Sequence, residues 1–270
     1  SLDVPQVEEI GFPNDIWKDI ITRKHGLVLL TGITGAGKST TIASLIGRIS
    51  EKSAHRIMSV EDPIEYIFTQ KHSIISQREV GRDVISFSQG LKEMMREDPD
   101  IIFVGEMRDA ETISMAMTAA ETGHLVLGTL HTTGAVKTID RIIDALPGEL
   151  REQTKAFLAM SLKAVVTQVL CKTPDGRGRR AVLEILVNTR AIAKLITTDQ
   201  THQIPSQLQT GKDMGMQLMD QALLDAINRK EIDPDDAYRY ANDKRKFTRF
   251  VTDTDIVPTI DVGGNEKLVQ

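Results

Sequence analysis

The 270-residue chain holds one cysteine, Cys171. No disulfide framework and no four-cysteine zinc site can be built within it, and a reducing compartment is the natural setting. It also lacks an apolar run approaching the ~20 residues needed to cross a bilayer. It shows no signal peptide and no internal repeat. It lacks a positive balance as well: with net charge −5 and pI ≈ 5.7, it is no wholesale nucleic-acid binder, though a local basic face remains open. An initiator Met is absent, since the chain begins at Ser1, and a processed product or a piece of a longer protein is expected. What is present is ordinary for a globular protein: 40% hydrophobic and 26% charged residues.

Against that background, residues 32–40 read GITGAGKST. Gly32, Gly37, Lys38 and Ser39 satisfy G-x-x-x-x-G-K-[ST]. Glycines at 32, 35 and 37 permit backbone angles that turn successive N–H groups toward phosphate oxygens. Gly32, Ile33, Thr34, Gly35, Ala36, Gly37, Lys38, Ser39 and Thr40 are therefore the expected nucleotide cradle. Lys38 would serve the β- and γ-phosphates of ATP, and Ser39 would offer its hydroxyl to Mg²⁺. GLVLLT (26–31) before the loop is of strand type, and 39–49 after it has helical spacing, so a helix N-terminus adds partial positive charge.

Further strands are predicted at 57–60, 101–105 and 125–130, and helices at 39–51, 86–97, 110–122 and 135–145. Such alternation gives an α/β fold with a mostly parallel sheet flanked by helices, and ligand sites at the carboxyl ends of the strands. Residues 150–170 read as a long helix whose end runs toward a strand. A basic hairpin tip follows at 173–180, then a strand at 181–187. A small C-terminal helical part follows, with helices near 189–198, 203–209, 216–230 and 234–243. Met214, Met216 and Met219 are expected in its core. The expected organisation is a lead-in helix over 1–25, a core over 26–187, a helical subdomain over 188–243, and a tail over 244–270 that loses order.

Acids complete the site. DPDIIFVGEMRD (98–109) puts Glu106 at a strand end, where a carboxylate holds Mg²⁺ or a water in P-loop proteins. EDPIE (61–65) follows another strand, with Glu61, Asp62 and Glu65 within reach of one another to orient or deprotonate water. His124 precedes the strand 125–130 and His131 follows it, so both are candidates, with His131 at the end where the site should be.

Five ordered motifs, GITGAGKST, VEDPIEY, REDPDIIFVGEMRD, AAETGHLVLGTLHTT and GMQLMDQAL, resemble the twitching-motility (PilT/PilU) ATPases, the retraction motors of type IV pili within the type II/IV secretion ATPase superfamily. The resemblance covers residues 10–240. It implies a RecA-like P-loop domain that hydrolyses ATP with Mg²⁺, without the family's PAS-like N-terminal domain. It implies Glu65 as general base, Glu106 as the acid near Mg²⁺, and His124 and His131 as the histidine box. A homohexameric ring is implied for the full-length protein, cytoplasmic and at the inner-membrane face. It would meet the membrane only through partners, above all the pilus platform protein, and no nucleic acid is involved. Arg78 in QREVGRD is a candidate coupling residue. The family's retraction-linked AIRNLIRE aligns with AIAKLITT (191–198), where Ala193 and Thr197 replace its arginines and Lys194 its asparagine. TPDGRGRRA (173–181) is closer to the accessory retraction paralogue. An assembly or type II secretion ATPase, or an accessory ring subunit with weak hydrolysis, therefore stays open. The zinc insertion usual in the former is excluded by the single cysteine.

Overall fold

The apolar run Leu27–Leu30 becomes an inner strand of a seven-stranded sheet, in a computed structural model that describes residues 4–262 and 266–269. In chain order its elements are α1 (Ile16–Thr22), β1 (Gly26–Thr31), α2 (Lys38–Lys52), β2 (Arg56–Glu61), β3 (Ile74–Glu79), α3 (Phe87–Met94), β4 (Ile101–Val104) and α4 (Ala110–Glu121). There follow β5 (Leu125–Leu130), α5 (Ala135–Ala145), α6 (Arg151–Ser161), β6 (Leu162–Lys172), β7 (Arg179–Val187), α7 (Arg190–Thr197), α8 (Ile204–Thr210), α9 (Met219–Asn228) and α10 (Pro234–Tyr240). A hairpin of β8 (Thr259–Val262) and β9 (Glu266–Val269) closes the series.

The sheet order is β3-β2-β4-β5-β1-β6-β7. All neighbours run parallel except β6 and β7, which pair antiparallel. Every residue of β1, β4 and β5 is buried, because helices cover both faces and a parallel strand there has no wet side. One apolar layer joins Leu27, Leu29, Val126 and Val165 to α3–α8. The other joins Val28, Leu30, Leu127 and Val166 to α1 and α2. The C-terminal helices build a third cluster around Leu223 and Phe247.

Four expectations change. The long helix over 150–170 stops at Ser161 and Leu162 opens β6. The run Ala164-Val165-Val166-Thr167 is buried on both faces and β-branched at its last three positions, so its apolar periodicity cannot separate helix from strand. β3, which the pattern did not predict, forms the sheet edge from the polar stretch IISQRE. Met216 and Met219 are buried but Met214 is 55% exposed, because it ends a 3₁₀ turn before Gly215. The stretch after residue 244 contains 3₁₀ turns at 244–246, 248–250 and 254–256, and Phe247 is fully buried. Residues 263–265 and 270 of the expected tail lie outside the described residues.

Candidate active site

β1 delivers the chain into 32–37, and Lys38 starts α2 directly behind it. Two glycines explain why no side chain fits. Gly32 has φ 144°, and a Cβ there would stand 2.4 Å from the Gln168 carbonyl oxygen. Gly37 has φ 85°, and a Cβ there would stand 2.8 Å from Gln168 Nε2. Gln168 itself, on β6, donates from Nε2 to the Ala36 carbonyl (2.7 Å) and accepts from Thr41 Oγ1 (2.7 Å). It clamps the loop to the first turn of α2. Sequence reasoning missed Gln168 because its strand reads as helix.

The loop lines a cleft of roughly 510 Å³ at the carboxyl ends of β1, β2, β4 and β5. Lys38 lies in its wall and donates to the carbonyls of Gly32 (2.8 Å) and Ile33 (3.1 Å). Burial lowers the Lys38 ammonium below its ordinary value, against the opposing pull of the Glu106 and Glu65 charges. Glu106 follows β4 at the cleft, where Arg108 Nε (2.5 Å) and His131 Nε2 (3.0 Å) meet its Oε1. Burial raises this carboxyl, but the hydrogen bonds and electrostatic pull of Arg108 and His131 outweigh it, and the net shift is downward. His131 Nδ1 lies 3.5 Å from Thr34 Oγ1, so one imidazole spans the glycine loop and Glu106.

The acids after β2 divide. Glu61 is buried and its Oε1 accepts from Ser59 Oγ (2.6 Å) and Gln77 Nε2 (3.0 Å). Burial raises it, with the charges of Glu65 and Glu79 adding to the rise. Asp62 and Glu65 are exposed and also line the cleft. Tyr66 Oη meets Thr40 Oγ1 at 2.8 Å, a link to α2 that the adjacent motif EDPIEY could have suggested.

Two candidates are not brought to this cleft. His124 precedes β5, so it sits at the amino end of the parallel strands, the wrong end of the sheet for this site. The six-residue strand at ~3.3 Å per residue separates it from His131 by about 20 Å. Its Nδ1 instead lies 2.9 Å from the Ala119 carbonyl at the end of α4. Within one chain the histidine pair is thus split. Arg78, on β3, is paired with Glu97 and stands 3.8 Å from Glu93.

The residues present fit a magnesium nucleotide. The cradle admits only glycine at 32 and 37, and Ser39 and Glu106 offer hard oxygen donors. Among the described residues no group of three His, Cys, Asp or Glu side chains could hold a metal alone.

Strand, glycine loop, helix and strand-end acid define an α/β P-loop nucleotide-binding fold. The chain belongs to the family described as "Type II/IV secretion system protein", whose profile matches residues 3–233. It is 48% identical over 245 residues to a twitching motility protein of Neisseria gonorrhoeae, covering 91% of this chain and 65% of that one. It is 45% identical to the type IV pilus retraction ATPase PilT of Pseudomonas aeruginosa, covering 89% of this chain and 70% of that one. A crystal structure of the pilus retraction motor PilT with bound ADP superimposes with a TM-score of 0.85 at 42% identity, over 92% of this chain and 70% of that one. The RecA-like fold expected from the resemblance is the fold observed. The chain spans about two thirds of these relatives.

Proposed function

We propose that this chain hydrolyses ATP with Mg²⁺, and that the full-length protein drives type IV pilus retraction as a subunit of a hexameric ring. The observation that carries the reading is the convergence on one cleft of the Gly32–Thr40 loop, Glu65 and the Glu106–His131 pair. The loop amides and Lys38 bind the phosphates and stabilise the charge that builds on them. Ser39 and Glu106 would hold the cation, which supplies charge neutralisation on the β- and γ-phosphate oxygens when bound. Glu65 takes the proton of the attacking water as its oxygen bonds to γ-phosphorus and the β–γ bridging bond breaks, leaving ADP and phosphate. His131, between Thr34 and Glu106, is placed to report the γ-phosphate. The ring would work at the cytoplasmic face of the inner membrane against the platform protein. No helix among the described residues is long and apolar enough to cross a membrane.

A second reading, an accessory subunit with little hydrolysis of its own, is favoured by α7. There Ile192 and Ile196 pack fully into the core while Ala193, Lys194 and Thr197 take the motif's polar positions. Steady-state turnover tests the first reading. Lys38→Ala is expected to lower ATPase rate by at least about 10²–10³-fold, the cost of losing one preorganised charge donor, with an unchanged circular dichroism spectrum. Undiminished turnover would remove the assignment.

A further inference from the structure

The segment that carries Glu65 has no backbone ladder of its own. Among the described residues, positions 62–68 form no helix or strand, and their N–H and C=O groups make no hydrogen bond to other backbone. Their backbone hydrogen bonds come from two side chains of β3. Glu79 Oε2 accepts from Ile64 N–H at 2.9 Å. Gln77 Oε1 accepts from Phe68 N–H at 2.9 Å, and Gln77 Nε2 donates to the Tyr66 carbonyl at 2.8 Å. Residues 77 and 79 are two apart on a strand and so share a face. Glu65 is bracketed on both sides by groups from that one face.

Gln77 does more than its neighbour. Its Nε2 also donates to Glu61 Oε1 at 3.0 Å, so the two amide protons and the amide oxygen are all engaged. Only one orientation of the amide satisfies these three partners, and no other side chain of that length offers two donors and an acceptor. The chain of bonds continues outward. The Tyr66 ring, whose backbone Gln77 holds, reaches Thr40 in the first turn of α2. The edge strand is thereby tied both to the acid loop and to the phosphate loop.

We infer that Gln77, assisted by Glu79, is a positioning residue for Glu65: it holds the otherwise unladdered 62–68 segment so that the Glu65 carboxylate faces the cleft. The inference rests on the reading of Glu65 as the base that activates water. It assigns β3, an edge strand with no residue lining the cleft, a part in catalysis through the loop it holds. A misplacement of about 1 Å in such a group costs roughly 10²-fold in rate, whereas nucleotide affinity, set by the loop amides and Lys38, is untouched.

The test uses the 270-residue chain and reads three quantities: single-turnover ATP hydrolysis, affinity for a fluorescent ADP analogue, and amide exchange at Ile64 and Phe68. Gln77→Leu is expected to slow hydrolysis roughly 10–100-fold, to leave affinity within about twofold, and to speed exchange at Phe68. Glu79→Leu is expected to slow hydrolysis and speed exchange at Ile64, whereas Glu79→Gln, which keeps an acceptor oxygen, restores both. In a Glu65→Gln background, Gln77→Leu should cost less than about twofold more, because the group it positions is already disabled. Unchanged hydrolysis in Gln77→Leu overturns the inference, and so does an equal fall in the Glu65→Gln background or a parallel loss of affinity. Should Gln77→Leu fail to fold, the Glu79 pair decides, and equal rates in Glu79→Leu and Glu79→Gln overturn it. Full-rate hydrolysis by Glu65→Gln alone would instead retire the reading of Glu65, a separate outcome.

Discussion

Glu61 and Glu106 line the same cleft, yet their surroundings push them in opposite directions. Glu61 is buried among neutral donors and beside two other carboxylates, and it rises. Glu106 meets Arg108 and His131, and it falls. A rise means that the native state holds the proton to higher pH than the unfolded chain. The stability this lends is full below the ordinary glutamate range and is lost as pH rises through the raised native value. Glu61→Gln keeps an oxygen for Ser59 and Gln77 and carries no charge. Its stability relative to the parent chain should therefore increase with pH across that window, as denaturant melts at several pH values would show. A constant difference would mean that Glu61 is not protonated more readily in the native state. Cys171 differs again: burial, with Asp236 and Asp233 nearby, pushes its thiol up to about 12, so it is a packing residue and not a nucleophile.

Helices are joined to the sheet by a polar device that no motif announces. Glu184 on β7 is buried, and its two oxygens accept from Ala135 N–H (2.9 Å) at the start of α5 and Met219 N–H (3.1 Å) at the start of α9. Two helix N-termini thus share one carboxylate. Glu184→Ala would leave both amides buried and unpaired, a loss of roughly 2–5 kcal/mol in chemical denaturation. A change below about 0.5 kcal/mol would mean water or backbone replaces it. Legibility at this scale follows burial. Strands flanked by turn signals and fully covered, such as 26–31 and 125–130, were readable to the residue. β3 was not, since an edge strand carries polar side chains and shows no clear alternation. β6 was misread because an apolar run buried on both faces looks the same in either element. The cleft was legible where chemistry demands a residue type, as at Gly32, Lys38 and Glu106. It was illegible where a residue works through the fold, as at Gln168 and Gln77, whose partners are distant in sequence. His124 failed for the converse reason, since adjacency to a strand does not say which end of the sheet it faces.

On the scale of the whole molecule, the chain spans 65% of the length of the Neisseria gonorrhoeae relative. Under the proposed function, force generation falls to the full-length ring. If the ring retracts pili, cells whose full-length protein carries Lys38→Ala should keep surface pili and lose twitching. If it assembles them, the same cells should lose pili, and electron microscopy of the cell surface separates the two. The central claim, however, is local: water is activated by Glu65 in the cleft built on residues 32–40. Single-turnover hydrolysis by the parent chain and by Glu65→Gln, with ATP binding measured alongside, addresses it directly. The account predicts that Glu65→Gln binds ATP with affinity within about twofold of the parent and hydrolyses it at least about 10²-fold more slowly, within the range ascribed to general-base catalysis. Equal rates in the two proteins, with ATP bound in both, would contradict it.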